Sequence, residues 1–180
     1  MKSTSGASQR VQQAPASLDL LWPGCSVVLL EPPVAISDTI VSFDPGRTTG
    51  IVVATSSTWI AAEVVDLVVI WKVLHAYRPK TILFEAFHAD NPAANDEALD
   101  VRGVVKLYRA SITKPKRPPQ IWWQPRESKG EGGVASSRCL RANGLWIPGK
   151  PHRRDALAHL IWHLINRENK MELLEWSKPK

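Results

Sequence analysis

The sequence has few cysteines and no long apolar run, and each absence excludes a class of protein. The chain has 180 residues and two cysteines, Cys25 and Cys139, which lie far apart and form no CxxC pair. A structural zinc site or a disulfide framework is therefore not expected. No segment approaches the length of a membrane span, and the polar N-terminus lacks the apolar stretch of a secretory signal. We predict a soluble cytoplasmic protein with no membrane partner.

Several common catalytic signatures are also missing. The sequence contains no GxSxG, no HExxH and no P-loop lysine motif, which argues against the hydrolases and nucleotide-binding proteins that use them. What is present is typical of a globular protein, with 44% hydrophobic and 22% charged residues. Lysine and arginine number 23 against 17 acidic residues, a formal net charge of +6. A basic balance favours polyanionic partners such as nucleic acid.

The order of predicted elements indicates one α/β domain over residues 39–168. Residues 1–38 are predicted to be a flexible tail and a possible arm, in which 27–30 is either an edge strand or a covering segment, and residues 169–180 form a C-terminal tail. Strands are predicted at 39–43, 50–54, 58–65, 81–84 and 120–124. Helices are predicted at 66–77, from a cap at Asn95 to about 112, at 138–143 and at 152–168.

Three acidic residues stand out because they lie at the ends of predicted elements. Asp44 ends a strand, Glu85 follows a strand, and Asp155 lies in the first turn of an apolar helix, three residues after His152. Converging carboxylates would bind hard cations, and a pair of such ions suits phosphodiester cleavage. Taken singly, these acids are also compatible with a turn residue, a solvated charge and a helix N-terminal acid, respectively. His159 and His163 are interpreted as packing or partner contacts.

Four segments of the sequence resemble, in order, the motifs of the RuvC family of Holliday-junction resolvases. They are IVSFDPGRTTGIVVA, TILFEAF, LDVRGVVKLYRAS and HRRDALAHLIWHL, and they span about residues 39–166. The resemblance implies an RNase H-like fold. Such a fold has a mixed central sheet with an antiparallel opening hairpin, flanked by helices.

The resemblance also implies a site and an activity. Asp44, Glu85, His152 and Asp155 correspond to the catalytic metal ligands of the family, in which some members have Asp and others His at the position of His152. The implied cofactor is Mg²⁺ or Mn²⁺, with two ions per site, and a metal-activated water would attack the phosphodiester. The implied substrate is a four-way DNA junction, which a homodimer cuts by paired nicks.

Further residues are predicted to contact DNA. By resemblance, Phe87 and His88 are the nearest candidates for the aromatic wedge after the glutamate, and Arg126 and Lys129 for the phosphate-contacting loop. Other basic residues in the regions flanking the site complete the set: Arg47, Arg102, Lys106 and Arg153.

Two features of composition leave alternatives open. Trp122 and Trp123 are among eight tryptophans; base stacking is one role for them, and burial in the core or a dimer interface is the favoured one. Gly103, inside a predicted helix, indicates close packing against a neighbouring helix, and a subunit interface is one option.

Three rival functions fit parts of the pattern. An RNase H-like nuclease could act on other branched DNA or on an RNA–DNA hybrid, and a non-catalytic protein could bind junctions without cutting. The run Asp44-x-Gly46-x-Thr48-Thr49-Gly50 also resembles the first phosphate loop of actin-like sugar kinases. Those kinases need a second domain, for which 180 residues leave no room.

Overall fold

The computed structural model describes residues 16–85, 92–113, 117–124 and 137–175. Within these ranges the chain alternates strands and helices. The strands are β1 (Val27–Leu30), β2 (Ile40–Asp44), β3 (Thr49–Ala54), β4 (Trp59–Val64), β5 (Thr81–Glu85) and β6 (Gln120–Gln124). The helices are α1 (Ala16–Leu21), α2 (Leu67–Tyr77), α3 (Pro92–Ser111), α4 (Ser137–Ala142), α5 (Pro151–Asn166) and α6 (Glu172–Glu175).

The six strands form one mixed sheet in the order β1-β4-β3-β2-β5-β6. Strands β1, β4, β3 and β2 pair antiparallel, whereas β5 pairs parallel with both β2 and β6. The opening hairpin β2–β3 predicted from the Asp-Pro-Gly turn is confirmed, and β1 is an edge strand, which decides between the two interpretations of residues 27–30. The predicted α/β class with a mixed sheet is therefore confirmed.

Each face of the sheet carries its own hydrophobic core, because successive strand residues point to opposite sides. On one face Ile40 and Leu83 pack with helix α5. On the other face Val41 and Phe43 pack with α2 and α3. Helix α5 is buried along most of its length, as its nearly continuous apolar sequence predicts. The protein is thus a three-layer structure in which α5 lies over the centre of one face.

The helix boundaries follow local capping chemistry. Asp66 caps α2 by accepting a hydrogen bond from the Val68 backbone N–H at 2.8 Å, as predicted. Arg78 caps the C-terminal end of α2: it has a left-handed backbone (φ 46°) and donates its N–H to the Leu74 carbonyl. Helix α3 begins at Pro92, so the predicted cap at Asn95 is wrong. Proline suits a first helical turn because the backbone N–H groups of that turn have no acceptor within the helix, so the N–H that proline lacks is not needed.

Segments on either side of the resembling region also pack on the domain. Trp22, between α1 and β1, is almost completely buried, and so is Leu173 in α6. Strand β1 pairs with β4 in the register Val28↔Ala61. None of the described helices combines the length and the apolar character that crossing a bilayer requires.

Candidate metal centre

Two carboxylates meet at one edge of the sheet because they end neighbouring parallel strands. Asp44 is the last residue of β2 and Glu85 the last residue of β5, and the preceding Phe43 and Phe84 are paired in register. Both acidic residues face α5 and are buried, with exposed fractions of 5% and 4%. Burying two carboxylates side by side is costly unless hydrogen bonds or a cation compensate.

His159 of α5 completes the cluster from above the sheet. One ligand atom each from Asp44, Glu85 and His159 lies within 4.8 Å of the others. The His159 Nε2 is 3.7 Å from Glu85 Oε2, and its side chain is fully buried. Among the described residues these three form the group with metal-binding geometry, and we call it the metal cluster.

A fourth buried residue orients the imidazole. Gln124 ends β6, the next parallel strand, and its Oε1 lies 3.0 Å from His159 Nδ1. With an oxygen facing it, Nδ1 carries a proton and donates a hydrogen bond to Gln124 Oε1. Nε2 then presents its lone pair to the carboxylate side, as metal-ligating histidines do when a neighbouring acceptor fixes their tautomer.

The first turn of α5 brings a second histidine to the edge of the cluster. His152 Nδ1 lies 2.9 Å from Asp44 Oδ2, and the ring is half-exposed. This approach depends on Gly50, which pairs with Asp44 in the β2–β3 hairpin. A Cβ at Gly50 would lie 1.9 Å from the His152 carbonyl oxygen, so only glycine lets α5 come this close. Lys150, just before α5, adds an ion pair with Glu63 of β4 at 3.2 Å.

The donor set fits a divalent cation. Two carboxylates and one imidazole nitrogen are hard-to-borderline ligands, which suit Mg²⁺, Mn²⁺ and other first-row ions. A cation here would offset the repulsion between the buried charges of Asp44 and Glu85. Because imidazole is a poorer ligand for Mg²⁺ than for transition metals, His159 favours Mn²⁺ over Mg²⁺.

His152 contacts Asp44 at the edge of the metal cluster, and Asp155 follows it on the same helix. Asp155 is half-buried and is the fifth residue of α5, so it lies beyond the first turn, in which the helix dipole would favour an acid. His152, Asp155 and His159 are spaced by three and four residues, which places them on one face of the helix.

The residues predicted to contact DNA fall in different places. Arg47 and Lys106 are exposed, and Arg102 is half-buried. Phe87, His88, Arg126 and Lys129 lie outside the described residues.

The sequence analysis predicted that Arg153 contacts DNA, and the structure corrects this prediction because the side chain lies inside the protein. It is only 3% exposed and donates from Nη1 to the Ser26 carbonyl at 3.3 Å. Burial lowers the pKa of Arg153, and the nearby charge of Glu63 opposes that shift. A guanidinium held in this way ties α5 to the segment before β1 and does not reach a DNA phosphate.

Two residues of the site were missed by sequence reasoning. His159 was interpreted as a packing or partner contact because it lies in an apolar helix. Its spacing of seven residues from His152 and four from Asp155 was the signal that could have placed it with them. Gln124 ends a parallel strand as Glu85 does, but a neutral amide gives no charge signal.

Comparison with known proteins shows similarity at the level of the fold. No family model matches the chain, and no curated protein matches it in sequence. The chain is similar to RuvC of Thermus thermophilus in complex with a Holliday junction substrate, with 15% identity and a TM-score of 0.53. That match covers 73% of this chain and 95% of the other. A second T. thermophilus RuvC structure matches at 15% identity and a TM-score of 0.48, covering 73% and 96%. The chain therefore has the RuvC-like, RNase H-like fold that the sequence motifs predicted.

Proposed function

We propose that the protein is a divalent-metal-dependent endonuclease that resolves four-way DNA junctions. The observation that carries the proposal is the metal cluster, with Asp44, Glu85 and His159 buried at the ends of parallel strands. The fold is similar to that of a RuvC protein in complex with a Holliday junction substrate, and the net charge of +6 favours a polyanionic substrate.

The ligand assignment follows the geometry of the cluster. Asp44, Glu85 and His159 Nε2 are proposed to hold one Mg²⁺ or Mn²⁺ ion. Asp155, on the same helix face, is proposed to help hold a second ion towards the substrate, as the resemblance implies. When bound, such ions supply a nucleophilic water at neutral pH and stabilise charge on the phosphate.

His152 has a separate proposed role at the mouth of the site. Its Nδ1 contacts Asp44 and its ring is half-exposed, so it links the buried cluster to the solvent. With Nδ1 engaged, Nε2 is the atom proposed to exchange a proton during the reaction. Gln124 holds His159 in place, and α5 excludes water from the inner side of the cluster.

Exposed basic residues are proposed to hold the DNA backbone. Arg47 lies on the connection that follows Asp44, and Lys106 and Arg102 lie on α3. The sequence predictions for Phe87, His88, Arg126 and Lys129 stay part of this proposal. Binding through phosphates would weaken steeply as the salt concentration rises.

A homodimer is proposed to deliver the paired cuts. Helix α3 exposes Leu99 and Leu107, with fractions of 53% and 64%, and Gly103 lies midway between them. These residues are four apart and share one helix face. A Cβ at Gly103 would meet nothing within 4 Å, so no packing in the described part of the chain explains the glycine. A second copy of α3 crossing at Gly103 would bury both leucines.

The direct test is incubation with a synthetic four-way junction in Mg²⁺, Mn²⁺ or EDTA. We expect symmetric paired nicks with 5′-phosphate ends in Mn²⁺ and Mg²⁺, and none in EDTA or with Asp44→Asn. Cutting only linear duplex, flaps or RNA–DNA hybrid would replace the junction substrate with one of those. Tight junction binding without cutting in any of the metals would indicate a non-catalytic binding protein.

A further inference from the structure

A basic cleft lies on the opposite face of the sheet from the metal cluster, between helix α3 and edge strand β6. Its volume is about 520 Å³. Three cationic side chains from α3 line it, and the described lining includes no acidic residue. The lining residues used below are Arg102, Lys106, Arg109, Ile121, Trp123 and Phe84. We call this the α3–β6 cleft.

An exposed tryptophan forms the floor of the cleft. Trp123 is 45% exposed although it lies in a β-strand. Its ring stacks on Phe84, with centroids 5.3 Å apart and an interplanar angle of 26°, and Phe84 stacks on Phe43 at 5.0 Å and 14°. Because Phe43 and Phe84 belong to the core, the tryptophan is held as a rigid platform rather than a loose surface group.

A cation already occupies the region over this platform. The Arg102 guanidinium carbon is 4.2 Å from the centroid of the Trp123 ring. Lys106 and Arg109 follow Arg102 at four and seven residues on α3, so all three lie along one side of the helix. A base stacked on the ring would take the place of the Arg102 guanidinium, and that guanidinium would then pair with the neighbouring phosphate alongside Lys106 and Arg109.

The tryptophan end of the cleft and the metal cluster lie at the same end of the sheet. Phe84 directly precedes Glu85, and Trp123 directly precedes Gln124. Because neighbouring residues of a strand face opposite sides, the carboxylate and the amide face α5 while the two rings face α3. Trp123 is therefore the neighbour in β6 of the residue that contacts His159, on the other face of the sheet.

We infer that the α3–β6 cleft binds an unpaired nucleotide of the DNA substrate, stacking its base on Trp123 and pairing its phosphate with Arg102, Lys106 and Arg109. This inference rests on the proposed function and specifies its substrate, since a branch point exposes unpaired nucleotides. Bases inside a duplex are stacked on both sides and cannot offer a face to the tryptophan. The cleft therefore selects single-stranded segments beside the cut rather than paired arms.

The test is binding of a fluorescein-labelled deoxythymidine decamer by the full chain in EDTA, measured by fluorescence anisotropy. Trp123→Ala is expected to weaken binding about 10-fold, as the loss of one base–aromatic stack predicts, and Trp123→Phe to restore most of it. Lys106→Ala is expected to reduce the slope of log Kd against log salt concentration by about one, as the loss of one phosphate contact predicts. Trp123→Ala should leave that slope unchanged. Lys72→Ala, an exposed lysine on α2, is the control for charge. Circular dichroism melting checks that each variant is folded.

A photo-crosslink locates the base. A decamer carrying 5-iododeoxyuridine should crosslink to Trp123, identified by mass spectrometry. Crosslinking elsewhere, or unchanged decamer binding by Trp123→Ala, would overturn the inference. A shift of Trp123→Ala to a smaller species in sedimentation, with decamer binding intact, would assign the cleft to a second copy of the chain and overturn it too. These measurements use no metal and no cleavage, so they test nucleotide binding even if the protein proves not to be a nuclease. A failure of nucleotide binding would likewise leave the nuclease proposal to be decided by its own test.

Discussion

Helices α5 and α3 cover opposite faces of the same sheet, and both have an unusual distribution of residues. One helix buries ionisable side chains, and the other exposes apolar ones. Helix α5 buries Arg153, His159 and His163, whereas α3 exposes Leu99 and Leu107. Buried ionisable groups are costly to keep and mark a place where chemistry or a fixed arrangement is needed. Two exposed leucines on one helix face favour a contact surface there. The two faces thus divide the proposed work, with catalysis under α5 and association along α3.

The largest expected effect is on cleavage at the metal cluster under α5. Asp44→Asn should lower junction cleavage by about 1,000-fold, because the amide removes a charge that the proposed ion requires. Folding in EDTA should be retained, while the rise in melting temperature on adding Mn²⁺ should disappear. Asp38→Asn, an exposed acid paired with Lys80, is the control and should cut normally. Normal cleavage by Asp44→Asn would show that the Asp44 carboxylate takes no part in the reaction.

The approach of α5 to the sheet is tested by Gly50→Ala. The added Cβ would overlap the His152 carbonyl oxygen, so α5 or β3 must move. We expect a loss of about 3 kcal/mol in the free energy of unfolding, at the upper end of overpacking effects, measured by urea denaturation. Gly46→Ala is the matched control, because its Cβ would lie 3.7 Å from the Thr48 carbonyl oxygen, an ordinary contact. Equal effects of the two substitutions would contradict the close packing at Gly50.

The cost of burying ionisable groups in α5 should appear as a pH dependence. Desolvation, with a smaller effect of Arg167, lowers the pKa of His163 from 6.5 to about 4. The ring is then neutral at pH 7, and its 3.5 Å contact with Glu168 is a polar contact rather than an ion pair. Because the unfolded chain binds the proton more tightly, stability is full above pH 6.5 and falls as the pH drops towards 4.

His163→Gln isolates this contribution. Between pH 7 and pH 4 the variant should lose up to about 3 kcal/mol less than the unmodified protein, from 1.36 kcal/mol per pKa unit. Urea unfolding at several pH values measures the difference. Parallel pH profiles for the two proteins would show that His163 is protonated in the folded state as readily as in the unfolded one.

The role of Gln124 sharpens the account of the metal cluster. Gln124→Ala removes the partner that orients His159, so Mn²⁺ affinity should fall about 10- to 100-fold, as is usual for residues that support a metal ligand. His159→Ala should lower it at least as much, and Mg²⁺ affinity should suffer less than Mn²⁺ affinity in both variants. Isothermal titration calorimetry gives the constants. Unchanged Mn²⁺ binding by His159→Ala would exclude the imidazole as a ligand.

The smallest effect on folding is expected on α3. Leu107→Glu should change the free energy of unfolding by less than about 0.5 kcal/mol, because the side chain is exposed. In sedimentation experiments it should nevertheless convert the proposed dimer to a monomer, whereas Val68→Glu, at an exposed apolar position of α2, should not. If both variants associate like the unmodified protein, α3 is not the interface.

The site residues at the ends of strands could be predicted from the sequence, whereas the buried polar residues inside helix α5 could not. Asp44 and Glu85 were identified because β-rich runs stop at them, and two parallel strands then brought them together. His159 was interpreted as a packing or partner contact because an apolar helix does not indicate which of its polar residues has a buried partner. Arg153 was placed on the surface because arginine is rarely buried. Only the structure shows that α5 lies so close to the β2–β3 hairpin that both side chains are enclosed.

The central claim is that Asp44, Glu85 and His159 hold one divalent ion between them. The most direct measurement is an anomalous difference map from a crystal of the protein soaked in Mn²⁺. The account predicts a peak within bonding distance of Asp44, Glu85 and His159 Nε2, with Gln124 still bonded to Nδ1. A fully soaked crystal with no peak at the ends of β2 and β5, or with Mn²⁺ bound only elsewhere, would contradict it.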